Sequence, residues 1–297
     1  MNLLTRARAR IRTYASLVAL AHTVFALPFA ASAIVLSLAV PHAPFGIVRL
    51  VAIVVCMVCA RTSAMAFNRW ADRDFDARNP RTRSRHVPAG TVHAGEALAL
   101  AVGSGMAFLV AASTLGFWPM VLAPGVLAIL LAYSFAKRFT WGAHAWLGVA
   151  LALAPGGAWV GMGARPSPGI VLLMLAVAAW LLGFDILYSL QDEGFDREAG
   201  LHSIPARFGA RRALAISAGA HVMTALALGG CGLVLHRGPL YWLAVVVTAT
   251  LLLYEHALVR RHGLAAIDRA FFDVNAWVSV AFFALVSADE ALRRLQS

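Results

Sequence analysis

Asn68, Asp72 and Asp76 stand at four-residue steps in one polar stretch, and Tyr188, Asp192 and Asp196 repeat that spacing in another. Four residues is close to one helical turn, so each trio falls on one helix face. Each stretch also closes a long apolar run. Two aspartate pairs at the ends of apolar helices gather four negative charges if they face one another, and such a cluster near lipid needs counter-ions. Hard carboxylate oxygens that leave room for water and phosphate suit Mg²⁺. Asp72, Asp76, Asp192 and Asp196 therefore read as metal ligands, and Asn68 can add a carbonyl oxygen. The alternative, four solvated aspartates at helix ends, explains one pair more readily than two pairs at matched spacing.

Cations surround both stretches. Arg73, Arg78, Arg81, Arg83 and Arg85 follow the first, Arg197, His202 and Arg207 follow the second, and Lys137 ends another apolar run one turn after Tyr133. Singly, each fits a basic membrane face. As a group they suit an anion such as a diphosphate, because arginine presents a planar fork of donors. Tyr188 either donates to that anion or packs with its hydroxyl at the interface. Asp185 lies seven residues before Asp192, two turns deeper, and an ionisable group at that depth is a functional candidate. Arg61 lies seven residues before Asn68 on the same face, about 10 Å deeper at helical rise. It either pairs with a carboxylate such as Asp185 or receives a substrate carboxylate. His22 reads as a hydrogen-bonded structural histidine. Cys56 and Cys59 form a C-x-x-C, but no second Cys or His pair stands nearby, so they and Cys231 read as small packed residues.

The elements that must position these groups are membrane helices. The chain is 61% hydrophobic and only 13% charged, about half the charge of an ordinary soluble domain. Apolar runs predict nine spans, at residues 14–40, 47 into the first motif, 94–115, 118–136, 141–162, 170 into the second motif, 212–235, 240–259 and 271–291. The first, behind Arg6, Arg8, Arg10 and Arg12, is too long for a signal sequence and is expected to stay uncleaved. Polar loops are expected at 77–93 and 194–212. With the N-terminus inside, both loops, Lys137, Arg138, Arg260, Arg261 and Arg269 share one side, which the positive-inside rule makes cytoplasmic. That asymmetry accounts for most of the net charge of +11, without nucleic acid as a partner. Asp72 and Asp192 each lie about 25 residues into a span, roughly 37 Å along it and near the far bilayer boundary. The matched halves, about 14–140 and 141–291, suggest duplication within one membrane domain covering 1–297. An ion-coupled secondary transporter is the rival of another class, but its sites lie near the bilayer midplane, and these aspartates lie at the edge.

The sequence resembles the UbiA superfamily of membrane prenyltransferases. The resemblance is carried by residues 22–28, 61–76, 79–85 with 88–90, 133–137, 185–196 and 200–209. It implies an all-α integral membrane fold, with nine transmembrane helices around a lateral cavity under cytoplasmic caps. It also implies Mg²⁺-dependent transfer of a prenyl group from a polyprenyl diphosphate to an acceptor, in a bacterial inner membrane. On matching positions, Asn68, Asp72, Asp76, Asp192 and Asp196 would hold the metal–diphosphate. Arg81, Arg85, Tyr133 and Lys137 would contact the diphosphate, and Arg61 would lie near the acceptor. Arg69 follows Asn68 where many members have Asp. That departure resembles a 4-hydroxybenzoate polyprenyltransferase-like branch, some of whose members resemble the futalosine-route menaquinone enzyme. Two acceptors stay open, 4-hydroxybenzoate and a dihydroxynaphthoate. Asp72, Asp192 and Asp185 are the expected catalytic carboxylates, with the base among them undecided.

Overall fold

The computed structural model describes residues 10, 13–14, 16–17 and 23–296, and among these it is helical with no strand. In chain order the helices are α1 Thr23–Ser37, α2 Ile47–Ala71, α3 Arg73–Arg78, α4 Ala94–Ser113, α5 Phe117–Ala136, α6 Ala143–Gly161, α7 Pro168–Ser189, α8 Glu193–Glu198, α9 Ile204–Val234, α10 Pro239–His262 and α11 Asn275–Gln296. Eight helical segments among the described residues are long and apolar enough to cross a membrane, and Ala26–Ser37 is a shorter apolar helix. That shorter helix lies within the expected span 14–40. His22 and Arg12 lie outside the described residues, as do Arg6 and Arg8.

The chain divides into two compact units. The first holds the described residues before Val24 together with Ile47–Phe135. Here α2 lies close against α4, because small residues face one another: Ala66 and Ala101 are both buried, and Ser63 Oγ donates to Ala101 O at 2.7 Å. Close approach of small residues with a hydroxyl bond between backbones is how helices associate where lipid removes the hydrophobic drive. Met65, Phe67 and Leu100 close over that contact, and the Phe67 ring meets Phe135 edge-on at 5.7 Å. α4 starts with a capping box between His93 and Glu96.

The second unit holds Val24–Gly46 and Ala136–Ser297, with α7 at its heart. Ser167 caps α7 by accepting from Gly169 N at 3.1 Å, and Pro168 sits in its first turn. A Cβ on Gly183 would meet the His221 ring at 2.2 Å, so only glycine lets α9 approach this closely. At that contact Ser217 Oγ donates to Gly183 O at 2.7 Å. Trp180 Nε1 donates to Asn275 Oδ1, and Asn275 Nδ2 donates to Glu255 Oε1, which ties α7, α11 and α10 through buried polar groups. Phe29 of α1 packs against both Trp180 and Phe282. At the far end of α10, buried Arg237 pairs with Asp289 at 3.0 Å and Glu290 at 2.8 Å, so the buried cation does not lack counter-charge, although its Nη1 has no hydrogen-bond partner.

Three expectations need correction. Neither aspartate motif continues a straight helix. α2 stops at Ala71 and α3 restarts at Arg73, while α7 gives way to a 3₁₀ turn over Leu190–Asp192 before α8. The third concerns 194–212, expected as a loop: α9 begins at Ile204, eight residues before the predicted 212. Ser203 caps it by accepting from Ala206 N, and Pro205 comes in the first turn. The polar residues Arg207, Arg211 and Arg212 mask this first part in a hydropathy reading. Gly209, at φ 76°, kinks the helix where the polar part meets the apolar part.

Candidate active site

The first motif is built by the end of α2, the start of α3 and the strap of turns beyond it. Although α2 breaks at Asp72, the turn-to-turn bonds persist: Asp72 N donates to Asn68 O at 2.9 Å and Asp76 N to Asp72 O at 2.8 Å. The trio therefore keeps nearly helical register through the break. Asn68 Nδ2 donates to Asp72 Oδ2 at 2.7 Å, which leaves the Asn68 carbonyl oxygen as its acceptor. Asp76 is only 6% exposed. Its Oδ1 accepts from Arg85 at 2.7 Å, while its buried Oδ2 has no hydrogen-bond partner. The segment that carries Arg81 and Arg85 is a series of turns, pinned where Thr82 Oγ1 donates to Asp76 O and Arg81 N to Asn79 Oδ1. The expected loop 77–93 is thus an ordered strap returning to its own aspartate. The Arg81 side chain is exposed, and Tyr133 near the end of α5 is half-buried.

The second motif reaches a similar state by another route. Asp192 and Asp196 are 7% and 2% exposed. Asp196 pairs with Lys137 Nζ at 3.3 Å, and Lys137 is itself fixed because its carbonyl accepts from His202 N at 2.7 Å. Tyr188 is half-buried against the cluster of Ile186, Leu187, Leu190 and Ile204. Asp72 and Asp192 share one backbone conformation, φ −93°, ψ 4° and φ −101°, ψ 2°. That is the sparsely populated bridge region, in which active-site residues recur. Two aspartates 120 positions apart thus match in backbone geometry as well as in spacing.

The donor set fits a hard divalent cation. It offers carboxylate and amide oxygens, one of them a buried carboxylate oxygen with no partner. Among the described residues no group of three or more His, Cys, Asp or Glu side chains forms a closed metal cage. Such an open set of oxygens suits a cation such as Mg²⁺ that takes only one or two carboxylates from the protein. Asp185 and Arg61 lie deeper along their helices. Arg61 is half-buried in α2. Asp185 Oδ2 lies 2.6 Å from Nδ1 of His144, a residue in the first turn of α6 and fully buried. The sequence gives no sign of His144, because 41 positions separate it from Asp185 and no motif contains it.

An all-helical fold with eight helical segments long and apolar enough to cross a membrane among the described residues is that of a membrane protein. The comparisons agree. The model of the UbiA prenyltransferase family matches residues 7–285, and the chain belongs to that family. It is a prenyltransferase. A 4-hydroxybenzoate octaprenyltransferase of Marinobacter nauticus is 33% identical over 233 residues, 78% of each chain. The enzyme of that name from Nitrosomonas europaea is 27% identical over 248 residues, 84% of each chain. Among solved structures, the apo form of a UbiA homolog from Aeropyrum pernix K1 superposes with a TM-score of 0.81 at 32% identity, covering 90% of this chain and 98% of that one. A UbiA homolog from Archaeoglobus fulgidus bound to GPP and Mg²⁺ has a TM-score of 0.71 at 19% identity, covering 93% and 99%, and shares the fold.

Proposed function

We propose that this protein transfers a polyprenyl group from a polyprenyl diphosphate to an aromatic carboxylic acid such as 4-hydroxybenzoate, with Mg²⁺, in quinone biosynthesis at the bacterial inner membrane. The observation that carries the reading is Asp76. One oxygen holds a guanidinium suited to phosphate, and the other is buried and bare. The names of the octaprenyltransferase relatives support the acceptor class, and the GPP–Mg²⁺ complex of the Archaeoglobus homolog supports the donor and the metal.

In this reading Asn68, Asp72 and Asp76 in the first motif and Asp192 and Asp196 in the second would hold Mg²⁺ brought with the diphosphate. Bound Mg²⁺ supplies Lewis-acid stabilisation of the departing diphosphate. Arg85 and Lys137 wait at the carboxylates in ion pairs and move their donors onto phosphate oxygens when the substrate arrives. Arg81, Tyr133 and Tyr188 add donors to the same anion. These contacts draw charge onto the leaving group, and the allylic C1–O bond breaks with its electron pair on the diphosphate. The electron-rich ring then forms a bond to C1 and loses a proton to a carboxylate. Arg61 holds the acceptor carboxylate, and apolar side chains keep water from the cation.

The site is taken to face the cytoplasm; selective labelling of a Gly200→Cys probe from the outer side would overturn that orientation. The reaction is tested with purified protein in detergent, a polyprenyl diphosphate, Mg²⁺ and a panel of aromatic acids that includes 4-hydroxybenzoate and a dihydroxynaphthoate. Mass spectrometry should show one acid gaining a prenyl group, with one diphosphate released per product. Conversion of dihydroxynaphthoate alone would move the acceptor to the alternative class. Release of diphosphate without any alkylated acid would reject the aromatic-acceptor reading.

A further inference from the structure

We infer that His144 is a positioning residue for the proton-removing step, and that Asp185, held by His144, is the base. The inference rests on the function proposed above. Asp185 occupies an open stripe on an otherwise closed stretch of α7: Gly183, Phe184, Ile186 and Leu187 are buried, whereas the Asp185 side chain is 16% exposed. Tyr188 continues that stripe one turn later. Asp185 therefore has one oxygen committed to His144 at 2.6 Å and retains access to whatever lies beside that face.

The histidine is built to do one thing. It is 0% exposed, and its Nε2 is buried with no hydrogen-bond partner. A carboxylate only accepts, so Nδ1 carries the proton of the short bond. His144 thus presents its Nδ1 to Asp185 at 2.6 Å from a fully buried position. It also stands in the first turn of α6, where the positive end of the helix dipole favours the neighbouring carboxylate. Such a histidine fixes the orientation of a carboxylate, as a carboxylate fixes a histidine in other acid–base pairs.

Once the ring carbon has bonded to the prenyl C1 and the diphosphate has left with the C1–O pair, that ring carbon still carries its hydrogen. Its C–H bond breaks, the electron pair restores the aromatic ring, and the proton passes to Asp185, which becomes a carboxylic acid. Water later takes the proton and resets the carboxylate. His144 keeps its own proton throughout.

The test uses the full-length protein with 4-hydroxybenzoate, either ordinary or deuterated at the ring position that is alkylated. In the wild type, proton removal follows bond cleavage, and deuteration should leave kcat unchanged. His144→Leu and Asp185→Asn should each lower kcat by about 10²-fold, the usual scale of general-base assistance. Both should leave the KM for the prenyl diphosphate unchanged, and both should acquire a primary deuterium isotope effect on kcat. His144→Asn, whose amide N–H replaces the Nδ1 donor, should recover much of the loss. Should His144→Leu fail to fold, His144→Asn and Asp185→Asn carry the test by their isotope effects. Slow variants with no isotope effect, or a defect mainly in the KM for the prenyl diphosphate, would overturn the inference, because a purely structural pair gives those results. If the active wild type converts no aromatic acid, the function reading falls and this inference with it; a failure confined to the variants removes only the inference.

Discussion

The two aspartate motifs reach the same arrangement by different means. Asp76 finds its cation nine residues later, on the strap that leaves the same helix. Asp196 finds its cation 59 residues earlier, at the end of another helix. The bonds differ in the same sense: Arg85 reaches Asp76 at 2.7 Å, whereas Lys137 lies 3.3 Å from Asp196. The supporting helices differ too. In the most apolar window of α2 22% is buried, and in that of the α7 segment 61%. The first motif is a local device on a lightly packed helix, and the second is a tertiary device in the middle of its unit. The same residue spacing stands on two different scaffolds.

If the two motifs are functionally equal despite that difference, Asp72→Asn and Asp192→Asn should be equally severe. Each should lower kcat by about 10³-fold, the scale of losing one preorganised electrostatic group. Each should leave a folded protein, because an amide preserves the shape of the side chain. The check is turnover beside thermal unfolding in the same detergent. Activity should also vanish with a chelator and return with Mg²⁺; full activity in excess chelator would remove the metal from the account. A large defect at one motif and a small one at the other would break the equivalence.

The paired cations sharpen the comparison. Arg85→Ala removes a charge-assisted bond worth about 1.5–3 kcal/mol, so the KM for the prenyl diphosphate should rise about 10- to 100-fold. Lys137→Ala removes a longer and less directional contact, and a rise near the lower end, about 10-fold, is expected. Lys137 also joins separate parts of its unit, so its loss should lower thermal stability more than the loss of Arg85. Steady-state titration of the prenyl diphosphate and melting curves of both variants separate these effects. The reverse order in stability would mean that the strap, and not the tertiary contact, holds its motif together.

Arg61 lies seven residues before Asn68 along α2 and should affect the other substrate. Arg61→Ala is expected to raise the acceptor KM about 10-fold or somewhat more, with the prenyl diphosphate KM changed much less. Arg61→Lys should recover only part, because a point charge does not reproduce the guanidinium fork. Separate titration of each substrate decides this. A defect mainly in the diphosphate KM would place Arg61 with the first motif instead.

The contrast between the motifs also explains what was legible in the sequence. The apolar runs located the helices because membrane-length segments declare themselves by composition, and α4, α5 and α6 begin within two residues of expectation. The Asn68–Asp72–Asp76 spacing was legible because its bonds are local. The breaks at Asp72 and Asp192 were not, since no proline stands at either and Gly194 follows only the second, inside the next helix. The early start of α9 was signalled by Ser203 and Pro205, but its arginines outweighed that signal in a hydropathy reading. Lys137 was recognisable as a basic helix end, although not as the partner of Asp196. His144 left no trace, because only the fold brings α6 beside Asp185.

Binding of the prenyl diphosphate itself tests the central claim most directly. Labelled polyprenyl diphosphate is titrated, with and without Mg²⁺ and with no acceptor present, against the wild type, Asp72→Asn and Asp192→Asn. If each motif ligates metal carried by the diphosphate, Mg²⁺ strengthens binding to the wild type, and both variants lose that Mg²⁺-dependent gain. A variant that keeps the full gain would contradict the account, because its motif would then take no part in holding the metal–diphosphate.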